Sequence, residues 1–227
     1  GENFKAKLKE KGFRDSIRAE LSRPAHFRLF NGEWDKVQVV ESTRRELEQH
    51  SIAELARAAG EDPLDFMLGL SLGEELETVF SALLLNSDEA AVGRMLRHPN
   101  AMVSLSDAGA HLTFFNDAGF GLHLLGHWVR ARGVLSLAEA AWRLTGQPAQ
   151  VFGIRGRGAL KPGYHADLLL FDPATVGRGP KRRVFDLPAG QPRLTVSPLG
   201  VHGVWVNGIS LENKEVLPGR VLRDFAA

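Results

Sequence analysis

The residue of this sequence best placed to do chemistry is Asp107. It follows the apolar run Ala101-Met102-Val103-Ser104-Leu105 and is followed by Ala108-Gly109. A short apolar run bounded by Pro99-Asn100 and by Asp107-Ala108-Gly109 reads as a buried parallel strand. A carboxylate on the loop directly after such a strand is held rigidly yet reaches a cavity, as catalytic groups do at the C-terminal ends of α/β-barrel strands. The chemistry available to it is proton transfer. An isolated Asp-x-Gly also fits a residue that only caps a turn.

Other candidates lie close by. His111 is four residues beyond Asp107 on the same expected loop, so it either lines the same cavity or makes a loop hydrogen bond. Asn116 and Asp117 extend that loop and are candidates for substrate contact, with a turn role as the alternative. His123 and His127 are four apart on an expected helix, a spacing that can offer two imidazoles to one metal. The residues between them, Leu124-Leu125-Gly126, lack the Glu of the zinc-peptidase motif, and nothing nearby supplies a third ligand. A core or surface role fits this pair better. The basic run Arg178, Lys181, Arg182, Arg183 carries no aromatic platform and reads as a solvated loop, not a nucleic-acid site. Trp128, Trp142 and Trp205 sit among apolar residues as core packing would place them.

The elements that must position these residues follow from periodicity. Apolar residues from Phe4 to Leu21 recur as on an exposed helix with one apolar edge, and Val37 to Val40 reads as a strand. Ser51 with Glu54, and Ser136 with Glu139, are capping boxes that start helices. The segment 62–85 is expected to hold one or two helices, and another starts at Ser87. Leu122 to Arg132 is expected to be helical, and Gly146 with Pro148 to stop the helix over Leu137 to Leu144. Beyond Gly153 the pattern changes to strands: Ala166 to Phe171, Arg193 to Val196, Val201 to Val206 and Val216 to Leu222.

Composition excludes several classes. With 28 basic side chains against 27 acidic ones, no strong field calls for a nucleic acid or an anionic membrane. No apolar run approaches the roughly 20 residues of a membrane span. The absence of cysteine excludes a disulfide scaffold and a thiolate site, and fits a cytoplasmic location.

Three stretches together resemble the C-terminal part of amidohydrolases related to D-aminoacylase, the N-acyl-D-amino-acid deacylases. They are His98-Pro99-Asn100-Ala101-Met102-Val103-Ser104-Leu105-Ser106-Asp107, the helix from Leu137 through Trp142-Arg143-Leu144-Thr145-Gly146-Gln147-Pro148 to Ala149, and Gly158-Ala159-Leu160-Lys161-Pro162-Gly163-Tyr164-His165-Ala166-Asp167 with the residues to Pro173. Val204-Trp205-Val206-Asn207-Gly208 and Leu217-Pro218-Gly219-Arg220 complete the series. The resemblance implies an α/β chain forming the C-terminal part of a distorted (β/α)8 TIM barrel and then part of a small β-sandwich. Residues 1–94 would be a mainly helical segment before the last barrel strand, 95–158 the last β/α unit, and 159–227 the sandwich share.

The same resemblance implies a metal-dependent hydrolysis of an amide C–N bond, with one or two zinc ions activating water and Asp107 as general base and acid. The family's metal ligands have no counterpart here, so Asp107 is the sole possible metal contact. The missing N-terminal part of the enzyme, a small N-acyl substrate and further copies of the chain are the partners expected, and this chain alone is expected to be inactive. The basic residue that the family places after this aspartate to hold the substrate carboxylate also lacks a match, since Phe114-Phe115-Asn116-Asp117 stands there. This leaves two rivals: an amidohydrolase acting on a cyclic amide or deaminating a ring, and a non-catalytic scaffold domain.

Overall fold

The computed structural model describes residues 2–23, 28–104, 106–110, 112–113, 117–212, 215 and 217–222. The chain is α/β and divides into two compact units, residues 1–89 and 90–227. Among the described residues no helix is long and apolar enough to cross a membrane.

In the first unit the amphipathic N-terminal segment forms two helices, α1 (Glu2–Lys9) and α2 (Lys11–Leu21), where one was expected. Glu10 takes an extended conformation between them, and Arg14 Nε donates to the Leu8 carbonyl at 2.7 Å, serving an acceptor at the end of α1. Strand β1 (Val37–Glu41) buries Val37, Val39 and Val40. Helix α3 (Ile52–Ala59) begins at Ser51 with both bonds of the capping box made, and ends at Gly60 in the left-handed conformation. Asp62 accepts from the amides of Leu64 and Asp65 to start α4 (Pro63–Gly73).

Beyond α4 lies β2 (Val79–Ala82), antiparallel to β1. The sequence reading placed only helix there, because the partner that makes Val79 and Phe80 a strand lies some forty residues earlier. Val37, Val39, Ile52 and Leu70 form the core of this unit.

A buried carboxylate closes the β1–β2 pair. Glu74 follows α4 and accepts from Ser42 Oγ at 2.6 Å, Thr43 Oγ1 at 2.7 Å, the Thr43 amide at 3.1 Å and Thr78 Oγ1 at 2.6 Å. Burial alone pushes its pKa up, but these donors outweigh burial and hold the carboxyl at about 2, well below the ordinary 4.5.

The second unit opens with α5 (Glu89–Arg97). Residues 101–104 then run without a strand partner among the described residues, and Leu105 lies outside them. This departs from the expected buried strand, because an extended segment becomes a strand only where a neighbour completes its hydrogen bonds. Helix α6 (Phe120–His123) continues directly into a wider π-helical stretch, Leu124–Ala131. There Gly126 meets the chain before β4 so closely that a Cβ would stand 2.7 Å from the Val176 carbonyl oxygen. Arg130 Nη1 donates to the same oxygen.

Helix α7 (Leu137–Leu144) starts with the second capping box, Ser136 and Glu139. The helix ends at Leu144 as expected. After a break at Thr145, Gly146 and Pro148 open a second short helix, α8 (Gly146–Val151), where Pro148 lies in the first turn and its missing N–H costs no helical bond. Leu124, Leu125, Trp128, Leu135, Ala140 and Val176 form the core.

Two antiparallel sheets complete the unit. In one, β6 (Val201–Val206) lies between β3 (Leu168–Phe171) and β7 (Ile209–Ser210). The other pairs β4 (Gly177–Val184) with β5 (Arg193–Leu199). The basic run 178–183, read from the sequence as a solvated loop, is therefore most of β4. Its charges mask a strand whose identity comes from pairing with β5. Of the expected strand Val216 to Leu222, Val216 lies outside the described residues; residues 217–222 have no sheet partner among the described residues, and Leu217 and Val221 are exposed.

Because the Glu74 carboxyl titrates lower in the folded protein than in the unfolded chain, its contribution is complete above pH 4.5 and is lost as pH falls toward about 2. Glu74→Gln is expected to cost about 2 kcal/mol in urea unfolding at neutral pH. The gap between parent and variant should shrink across that acid range; a gap independent of pH would contradict the assignment.

Candidate functional site

Asp107 lies on an exposed loop, and its backbone is left-handed, with φ of 54°. Aspartate tolerates this conformation better than most non-glycine residues, and Gln49, Glu75, Leu76, Asn86, Ala189 and Asn207 share it. Locally, the Ala110 amide donates to the Asp107 carbonyl at 3.1 Å, and the Ala108 amide donates to Ser106 Oγ at 3.2 Å. The stronger restraints act on either side of the loop.

Upstream, two buried side chains hold the approach to Asp107. Arg143 on α7 donates through Nη1 to the Ala101 carbonyl at 3.0 Å and through Nη2 to the His98 carbonyl at 3.3 Å. Gln147 on α8 donates through Nε2 to the same Ala101 oxygen at 2.9 Å. Both are almost fully buried, 6% and 5% exposed. His98 directly follows α5, so the guanidinium also places positive charge where that helix ends in unpaired carbonyls. Val103 adds an apolar anchor by packing against the core.

Downstream, the loop is tied to the β4–β5 hairpin. The Leu194 amide donates to the Leu112 carbonyl at 2.9 Å, and Arg183 Nη1 to the Thr113 carbonyl at 3.0 Å. Arg178 pairs with Asp117 at 3.2 Å. Gly119 comes so close that a Cβ there would stand 2.6 Å from Arg178 Cδ. Burial lowers the Lys181 pKa from its usual 10.5; Asp117 opposes that shift and Arg178 adds to it.

Between loop and hairpin is a cleft of about 290 Å³ lined by Ala108, Gly109, Leu112, Ala118 and residues 193–196. Asp107 immediately precedes two of the lining residues. On the opposite wall Arg193 is held by Asp186 through bonds of 2.6 and 2.7 Å, and this pairing keeps the Asp186 carboxyl below its ordinary range.

The expected site residues divide as follows. Asp107 is next in the chain to Ala108 of the cleft lining but is not itself one of the lining residues, and Asp117 serves as an anchor of the loop. His111 and Asn116 lie outside the described residues. The imidazoles of His123 and His127 stack face to face, with centroids 4.7 Å apart and planes 11° from parallel. Their lone pairs lie in nearly parallel planes and cannot converge on one ion about 2 Å away. No group of three or more His, Cys, Asp or Glu side chains among the described residues could hold a metal.

Sequence reading missed Arg143, Gln147 and the basic side chains of the hairpin. Arg143 had a signal: it lies three residues beyond buried Ala140 on α7, on a face where a charge is out of place; Gln147, past the break at Thr145, had none. The hairpin had none, since only the fold brings residues 178–196 to the loop at 107–119.

The amidohydrolase family model matches residues 19–210. D-aminoacylase of Alcaligenes xylosoxydans xylosoxydans is 33% identical over 188 residues, covering 80% of this chain and 35% of that protein. N-acyl-D-aspartate deacylase of the same organism is 34% identical over 177 residues, covering 73% of this chain and 33% of that protein. A solved structure, N-acyl-D-glutamate deacylase of Bordetella bronchiseptica with zinc and a phosphonate inhibitor, aligns with a TM-score of 0.46 at 30% identity, covering 85% of this chain and 38% of its own. This chain spans about a third of the length of the curated relatives it matches. A family match running through most of the sequence, with the Asp107 loop inside it, shows that the chain belongs to the amidohydrolase family.

Proposed function

We propose that this chain supplies the C-terminal part of an enzyme that hydrolyses an amide C–N bond of a small N-acyl compound, with Asp107 as the proton carrier. The observation that carries the reading is the placement of Asp107: it adjoins Ala108 and Gly109 of the cleft lining, on a loop held by hydrogen bonds from α7, α8 and the β4–β5 hairpin. Family membership and the deacylase relatives supply the reaction class.

In this reading the carboxylate of Asp107 accepts a proton from the water that adds to the amide carbon. It returns that proton to the nitrogen as the C–N bond breaks, leaving a carboxylic acid and an amine. The zinc implied by the resemblance does not fit the described residues, which offer no ligand set, so no step is assigned to it here. The ligands belong, on this proposal, to residues outside this chain, and the chain by itself is inactive.

The same proposal assigns residues 95–158 to the last β/α unit of a barrel and 159–227 to a sandwich share. Leu168, Leu169 and Leu170 on the edge strand β3 are all exposed, as suits a surface covered in the complete protein or in an oligomer.

In the complete zinc-loaded enzyme, Asp107→Asn is expected to lower kcat on N-acyl-D-amino acids by about 10²- to 10⁴-fold with KM little changed. Full retained turnover would sink the reading. The left-handed backbone makes a separate prediction about the chain itself. Asp107→Gly should be more stable in urea than Asp107→Ala by about 1 kcal/mol, and the opposite order would show that the left-handed backbone is not maintained.

A further inference from the structure

We infer that Arg143 and Gln147 are positioning residues for Asp107, an inference that rests on Asp107 being the proton carrier. The two side chains, from different helices, converge on one acceptor, the Ala101 carbonyl, at 3.0 and 2.9 Å. A carbonyl oxygen has two lone pairs, and here both are occupied by buried side-chain donors. They do for residue 101 what a neighbouring strand would do for a strand residue.

Neither residue is what packing alone would select. A guanidinium only 6% exposed carries a desolvation cost that an aliphatic side chain would avoid. Gln147 is more telling. Its Oε1 is buried without a hydrogen-bond partner among the described residues, which costs stability. The amide is thus turned to serve Ala101 while its own acceptor goes unsatisfied, and an exception of this kind calls for a reason beyond stability.

The reason lies six residues on. Ala101 lies six residues before Asp107 in the chain, with Val103 between them packed against the core, so the clamp fixes the point from which the chain runs to the carboxylate. A misplacement of about 1 Å at a reacting group can cost about 10²-fold in rate. The clamp therefore sets where the proton carrier stands without touching substrate.

The test uses the complete zinc-loaded enzyme with Gln147→Met, which keeps the volume and removes both amide groups, together with Arg143→Lys and Arg143→Met. The expected result for Gln147→Met is a fall in kcat of about 10- to 10²-fold with KM unchanged and thermal stability equal or higher, because the orphan acceptor is gone. Arg143→Lys should retain more kcat than Arg143→Met. In parallel, hydrogen exchange on the 227-residue chain should quicken in Gln147→Met at residues 102–104 and 106–110 and stay as before in α3 and α4. Unchanged kcat in Gln147→Met and Arg143→Met, or unchanged exchange at 102–110, overturns the inference. If Asp107→Asn is inactive in that same case, the role of Asp107 stands alone; if Asp107→Asn is fully active, both readings fall together.

Discussion

A backbone carbonyl taken out of water must find a donor, and at Ala101 that requirement organises the second unit. Because residues 101–104 have no strand beside them among the described residues, the donors come from side chains, and those of Arg143 and Gln147 are brought in on α7 and α8. Helix α7 ends at Leu144 as expected, and the separate short helix α8 that starts at Gly146 gives Gln147 its position. The capping box at Ser136 and Glu139 sets where α7 starts and so sets the rotation of the face that carries Arg143.

The loop that follows is held by a different kind of restraint. Its carbonyls at Leu112 and Thr113 are taken up by the hairpin, one by a backbone amide and one by a guanidinium, and Asp117 adds an ion pair with Arg178. Such a partly exposed pair contributes little energy by itself. Its use is geometric, since it selects one placement of the loop among many of similar energy. Asp107 is thus fixed by neutral and charged hydrogen bonds to the main chain, and its own carboxylate is not consumed in holding the fold.

What was legible in the sequence was local. Both capping boxes, the left-handed glycine after α3 and the carboxylate after an apolar run are written in residues within a few positions of one another, and the structure has the caps bond for bond. What was not legible depends on partners far along the chain. Val79 and Phe80 become a strand only beside β1; the charges of 178–183 become one only beside β5; residues 101–104 and 217–222 have the composition of strands and no neighbour among the described residues to make them so. For the site the same division holds. Asp107 could be singled out from its flanks, whereas its supports come from three other elements. A charged residue on the buried face of an amphipathic helix was the one overlooked cue.

The contact at Gly126 bears on motion. Where a helix touches a neighbouring segment through side chains, the two can slide by exchanging rotamers. Here the helix backbone meets the Val176 carbonyl with no side chain between, and Arg130 is bound to the same oxygen. Such a joint behaves as a weld, because neither part can translate without driving one main chain into the other. The β4–β5 hairpin starts one residue beyond that point, so its root is fixed to the helical layer. The loop residues Leu112, Thr113 and Asp117 are bonded to that same hairpin, so the weld at Gly126 reaches the loop through it.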